Sequence, residues 1–169
     1  EHLHFGAKIS HDPLTYTRSG GGISCVATTP GLDLPGLPVS YSLFAPELAF
    51  FGTGDYREPT VHVVNENGDR LSELLYDGYE ILEEKPLISN MPSMTGGETL
   101  VIHLKDAVTS FCADLYYTLY NDCDVLSRRI VYKNNGANKI TVDRAYSFSL
   151  QLPDNSYNIM SLYGSWARE

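Results

Sequence analysis

Basic residues are scarce in this chain. Its 169 positions hold 12 Lys and Arg against 21 Asp and Glu, a formal charge of −9. Nucleic acid is bound through Lys- and Arg-rich surface, and anionic membranes attract the same residues. Neither is an expected partner. Neutral sugars impose no charge requirement and stay compatible. Cysteine is also scarce, with Cys25, Cys112 and Cys123 alone. An odd count makes a poor disulfide framework, and the spacing fits no zinc pattern. Three reduced thiols in or near a core are the expectation, and with them a reducing cytoplasm. No apolar run approaches the roughly 20 residues of a membrane-spanning helix. The first residues, Glu1-His2-Leu3-His4, lack the basic-then-apolar order of a signal peptide. Helical periodicity, internal repeats and low-complexity tails are missing too.

What is present reads as β-structure. Hydrophobic residues make up 43% of the chain and tyrosine alone counts 12, a composition that favours sheet over disorder. From Ile140 to Leu152 the even positions read Ile, Val, Arg, Tyr, Phe, Leu, Leu and the odd ones Thr, Asp, Ala, Ser, Ser, Gln. This is the alternation of a strand with one dry and one wet face, broken at Arg144. Phe111, Ala113, Leu115, Tyr117 and Leu119 share one side of a second strand, and Val125 to Lys133 reads as its return across Asn121-Asp122-Cys123-Asp124. Leu100 to Leu104 is a further strand behind Gly96-Gly97. Together these segments predict an antiparallel meander. Thr60 to Val64 is expected to pair with Arg70 to Tyr76 across Asn65-Glu66-Asn67-Gly68-Asp69. Residues 18–40, with Gly20-Gly21-Gly22 and three prolines, predict a loop-rich excursion. The fold class is all-β, with regular short strands arranged as a sandwich.

The stretch with most chemistry is Gly52-Thr53-Gly54-Asp55-Tyr56-Arg57-Glu58-Pro59. Two glycines permit a tight turn. Asp55 then offers an acceptor, Tyr56 a stacking face and Arg57 a bidentate donor, the set that sugar hydroxyls need. A turn in which Asp55 only caps its own backbone is the plainer reading. Other groups read more simply. His2 and His4 share a strand face but lack a third ligand, so no metal is expected. His62 and His103 are lone strand histidines. Asp122 and Asp124 fit a solvated hairpin tip better than an acid–base couple or a calcium corner. Gly20-Gly21-Gly22 has no Lys-Ser/Thr tail and precedes no helix, so no phosphate is assigned to it. Trp166, the single tryptophan, suits a core or domain seam.

That glycine-rich string resembles the signature near the start of family 36 α-galactosidases. Leu3-His4-Phe5-Gly6-Ala7-Lys8, Glu80-Ile81 before Lys85-Pro86-Leu87, Leu126-Ser127-Arg128-Arg129 and Tyr163-Gly164-Ser165-Trp166-Ala167-Arg168-Glu169 match in the same order. The resemblance covers residues 1–169, and Tyr56 stands where the family often has Phe. It implies the first part of an antiparallel β-supersandwich, an amino-terminal domain that continues past the closing motif and precedes a catalytic (β/α)8 barrel absent from this chain. It implies a parent enzyme that hydrolyses terminal α-galactosides of the raffinose and melibiose type with retention, in a bacterial-type cytoplasm, with no cofactor and no metal. The catalytic carboxylates belong to the barrel, so no catalytic residue is carried over. In tetrameric bacterial members the loop matching Asp55 is thought to reach a neighbouring subunit's pocket. The resemblance therefore implies substrate-binding roles for Asp55 and Tyr56, with Arg57 as a brace. Expected partners are the parent's own barrel, other copies of the chain, and an α-galactoside bound through the parent enzyme.

Two other classes remain compatible with the residues. A free-standing carbohydrate-binding module would bind galactose by itself. A mutarotase-like sugar epimerase would need a general acid and base in one cleft, and His103 with a nearby Glu is the one candidate pair.

Overall fold

The computed structural model describes residues 47–51, 58–147, 149–150, 156–158, 160–161 and 164. Six strands are formed among them: β1 (Val61–Asn65), β2 (Leu74–Leu82), β3 (Glu98–Asp106), β4 (Phe111–Leu119), β5 (Leu126–Asn134) and β6 (Ile140–Ala145). No helix occurs among the described residues. The strands build two antiparallel sheets, one of four strands in the order β2-β3-β4-β5 and one of two, β1 with β6.

The four-stranded sheet is the predicted meander. Its register sets Leu115 between Ile102 and Ile130, and Ala113 between Leu104 and Tyr132. These side chains point toward Leu48, Val61, Val63 and Leu74, so both sheets close on one core. Phe111 stacks on Tyr132 with ring centres 5.8 Å apart and planes at 6°. Burying each Val, Leu or Phe of such a core stabilises the fold by about 1.5–3 kcal/mol. The opposite face of β4 is covered as well. Cys112, Asp114 and Thr118 are buried, and the Thr118 and Thr99 hydroxyls share a hydrogen bond of 2.8 Å across the strands. The wet face expected from the alternation is therefore a second dry one.

Two strand expectations need correction. The segment Thr60 to Val64 does not pair with Arg70 to Tyr76. β1 pairs with β6, and β2 pairs with β3. The turn itself forms where expected, with Asn65 N donating to Asp69 O at 2.9 Å and Gly68 N to Asn65 O at 2.8 Å. Beyond it the backbone donors are taken by carboxylates. Leu71 N donates to Asp69 Oδ1 at 3.0 Å, and Glu73 N to Asp106 Oδ2 at 2.8 Å. The second bond delivers the chain to the end of β3, so it cannot fold back on β1. The strand predicted from Ile140 to Leu152 is also shorter, since β6 ends at Ala145. Ala145 faces Val61, the first residue of β1, so β1 offers no further partner. Tyr146 N donates instead to Thr60 O at 2.8 Å and Ser149 N to Glu47 O at 3.1 Å.

Candidate functional site

Asp55, Tyr56 and Arg57 lie outside the described residues, which resume at Glu58. What the structure does describe is the frame on both sides of them. Thr60 N donates to Ala49 O at 2.8 Å. Ala49 N donates back to Thr60 Oγ1 at 3.2 Å, and that hydroxyl reaches Glu47 O at 3.4 Å. Ala49 and Thr60 are both buried. The two flanks of the segment that carries Asp55 are thus fixed against each other at the end of the core.

Each flank is tied to a different sheet by an ion pair. On the leading flank, Arg128 Nε of β5 lies 2.5 Å from Glu47 Oε1, with side chains only 8% and 11% exposed. The contact is an ion pair rather than a hydrogen bond, and among the described residues no hydrogen-bond partner reaches the guanidinium nitrogens. The Tyr117 hydroxyl donates to Glu47 Oε2 at 2.8 Å, and the Tyr117 ring lies 5.7 Å from the guanidinium carbon. Burial, and then the Glu47 carboxylate, push the Tyr117 phenol up to about 12. Burial also pushes Tyr132, two inward positions along β5, up to about 12. On the trailing flank Glu58 pairs with Arg144 of β6, both well exposed, and Arg144 lies 5.7 Å over the Tyr146 ring. Arg144, the residue that breaks the alternation of the last strand, thus has a solvent-facing partner.

Glu47 and Arg128 are not among the site residues expected from the sequence. A signal was present all the same. Arg128 falls in phase with Ile130 and Tyr132, both packed on the core, so it is a charge on an apolar face. Such a charge demands a buried partner.

The outer face of the four-stranded sheet carries a second polar row. The His103 Nδ1 lies 2.7 Å from Asp114 Oδ1 and its Nε2 3.8 Å from Glu80 Oε1, while Lys133 Nζ lies 2.5 Å from Asp114 Oδ2. Burial raises the Asp114 pKa, but Lys133 and His103 together hold it below its ordinary value. His103 does have a neighbouring Glu, as the epimerase alternative requires. The two meet side to side across the neighbouring strands β2 and β3. A groove of about 540 Å3 lies elsewhere, between the turns at Asn67, Thr109 and Asn138. Cys112 and Cys123 are free thiols. Asp122 and Asp124 sit in the β4–β5 turn. Among the described residues no three His, Cys, Asp or Glu side chains gather as metal ligands.

Comparison with known proteins bears on this frame. The family model of the glycosyl hydrolase family 36 N-terminal domain matches residues 1–169. Alpha-galactosidase 2 of Hypocrea jecorina is 34% identical over 127 residues, 73% of this chain and 17% of the relative. Alpha-galactosidase 2 of Pediococcus pentosaceus is 30% identical over 99% of this chain and 23% of its own length. Among solved structures, the alpha-galactosidase from Lactobacillus brevis aligns with a TM-score of 0.67 and 33% identity, covering 75% of this chain and 18% of that one. A variant of the alpha-galactosidase AgaA from Geobacillus stearothermophilus, in complex with raffinose, aligns with a TM-score of 0.65 and 29% identity over 72% of this chain and 18% of that one. The chain thus spans between 17% and 23% of the length of these two curated relatives. Matched along residues 1–169, the chain belongs to the glycosyl hydrolase family 36 N-terminal domain family.

Proposed function

We propose that this chain is the leading, non-catalytic part of a β-supersandwich domain in a retaining α-galactosidase that works in a bacterial-type cytoplasm. The observation that carries the reading is the family match along residues 1–169. In this reading the parent hydrolyses raffinose- or melibiose-type α-galactosides. Retention requires two carboxyl groups about 5 Å apart, one as nucleophile and one as acid and base. Both are assigned to a barrel domain outside these residues.

The domain's own contribution is to assembly and to binding. Copies of the parent associate, as a tetramer, and the segment with Asp55 reaches the pocket of a neighbouring subunit. Asp55 accepts hydrogen bonds from galactose or aglycone hydroxyls, Tyr56 walls the pocket, and Arg57 braces Asp55. The two ion pairs that hold the segment's flanks support this role, because a sugar contact needs a fixed base.

The test compares hydrolysis of a chromogenic α-galactoside by this chain and by the uninterrupted product of its gene. Only the longer protein is expected to be active. Activity in these 169 residues would place the chemistry here and refute the assignment to a barrel. In the active protein, Asp55→Ala is expected to raise KM roughly ten- to hundredfold, the loss of one charged hydrogen bond. An unchanged KM would reduce Asp55 to a turn cap.

A further inference from the structure

We infer that Glu47, Arg128 and Tyr117 form an internal brace that places the segment carrying Asp55 and so sets the affinity of the α-galactoside pocket. They are positioning residues and touch no substrate. The inference rests on the proposed role of Asp55 and adds residues that lie far from it in sequence.

Three observations carry it. First, Glu47 is the meeting point of the leading flank. Its backbone carbonyl accepts from Thr60 Oγ1 at 3.4 Å and from Ser149 N at 3.1 Å, while its carboxylate runs into the core. Second, the carboxylate is held from two adjacent strands at once. Tyr117 and Arg128 are cross-strand partners in β4 and β5, and each takes a different Glu47 oxygen. The Tyr117 hydrogen bond orients one carboxylate oxygen, and the Arg128 charge 2.5 Å from the other draws it the same way. The Glu47 backbone, two residues before Ala49, is held with the carboxylate. Third, the arrangement is poor as a mere stabiliser. Arg128 Nη1 and Nη2 are buried with no hydrogen-bond partner among the described residues, a costly condition for N–H groups. An apolar trio of similar volume would hold the sheets together at least as well. What a charged trio adds is a single allowed placement of Glu47.

The brace also explains an asymmetry. The trailing flank is tied by the exposed pair Glu58–Arg144, which is screened and weak. The buried leading flank is therefore the reference point of the segment.

The test uses the full-length protein that carries this domain. Amide exchange of residues 50–59 is compared in wild type, Glu47→Gln, Arg128→Lys and the control Ile130→Val, a core truncation beside the brace. Glu47→Gln and Arg128→Lys are expected to speed exchange across 50–59 about tenfold, with β4 amides following the control. They are expected to raise KM for raffinose about tenfold with kcat nearly unchanged, the mark of lost uniform binding. Adding Glu47→Gln to Asp55→Ala is expected to raise KM little further, because both act through one contact. Exchange in 50–59 that merely follows the control would overturn the inference. So would a KM that rises in Asp55→Ala and stays at the wild-type value in Glu47→Gln. A KM unmoved by Asp55→Ala removes the sugar reading, and the inference with it; that failure shows in the Asp55 variant alone.

Discussion

At the scale of single residues, two ion pairs with the same charges differ in worth because of where they sit. Glu47 and Arg128 are out of water, and removing one strands the other. Glu47→Ala is expected to cost about 3–5 kcal/mol. Arg144→Ala, at the exposed Glu58 pair, is expected to cost less than about 1 kcal/mol. Urea denaturation of the variants measures both, and equal losses would refute the distinction. The same burial makes the core sensitive to alkali. Tyr117 has its pKa raised from 10.0 to about 12, by burial first and by Glu47 second. A raised acid holds its proton more tightly when folded. Its stabilisation is complete below pH 10 and is lost as pH rises toward 12. The melting temperature of wild type should fall over that window, and the fall should be shallower in Tyr117→Phe. Sequence alternation places Tyr117 on the inward face but gives no sign of the carboxylate beneath its hydroxyl, 70 positions away in the chain.

At the scale of elements, Asp106 governs the β3–β4 connection. Its Oδ1 accepts from Val108 N at 2.8 Å and Thr109 N at 2.9 Å, while Oδ2 accepts from Glu73 N at 2.8 Å. One side chain therefore closes the turn and sets the start of β2. Burial works to raise its pKa, but the Thr109, Glu73 and Val108 bonds win and lower it below 3.8. A depressed carboxylate stabilises above its unfolded pKa and loses that contribution as pH falls through the folded value. Acid should therefore weaken the fold below about pH 4, the ordinary range of an aspartate. Asp106→Asn should lower stability at neutral pH and flatten the acid limb of a melting curve; an unaltered limb would assign the acid loss to other groups such as Asp114. The hairpin predicted for Thr60 to Tyr76 fails for the same reason. The turn residues Asn65 to Asp69 were legible. The carboxylate 33 residues beyond Glu73 that redirects the next strand was not. β2, once redirected, becomes the edge of the sheet among the described residues. Its bulge at Gly78, where φ is 136°, and its charges Asp77 and Glu80 are devices that discourage edge pairing.

At the scale of the whole molecule, the proposed domain role separates from a free-standing binding module by one measurement. The isolated 169-residue chain is expected to give no heat of binding when titrated with galactose, because in the proposed pocket most contacts come from a barrel. Clear binding would favour the module. The described molecule agrees with the domain reading in its economy. Its polar groups are spent on fixing strands to one another, as at Thr99–Thr118 and His103–Asp114. A groove among the described residues is lined by the turns at Asn67, Thr109 and Asn138, without an aromatic side chain.

The sequence alone determined the all-β class, the β3-β4-β5 meander and the family. These depend on local signals: period-two alternation, turn residues between runs, and short motifs in fixed order. Such signals survive without knowledge of distant neighbours. Tertiary structure decided which strand pairs with β1, where β6 stops, that both faces of β4 are dry, and that Glu47 is joined to Tyr117 and Arg128. Each of these depends on contacts between residues far apart in the chain. Burial and the hunger of a buried charge for its partner set them, and both belong to the assembled core rather than to any one segment.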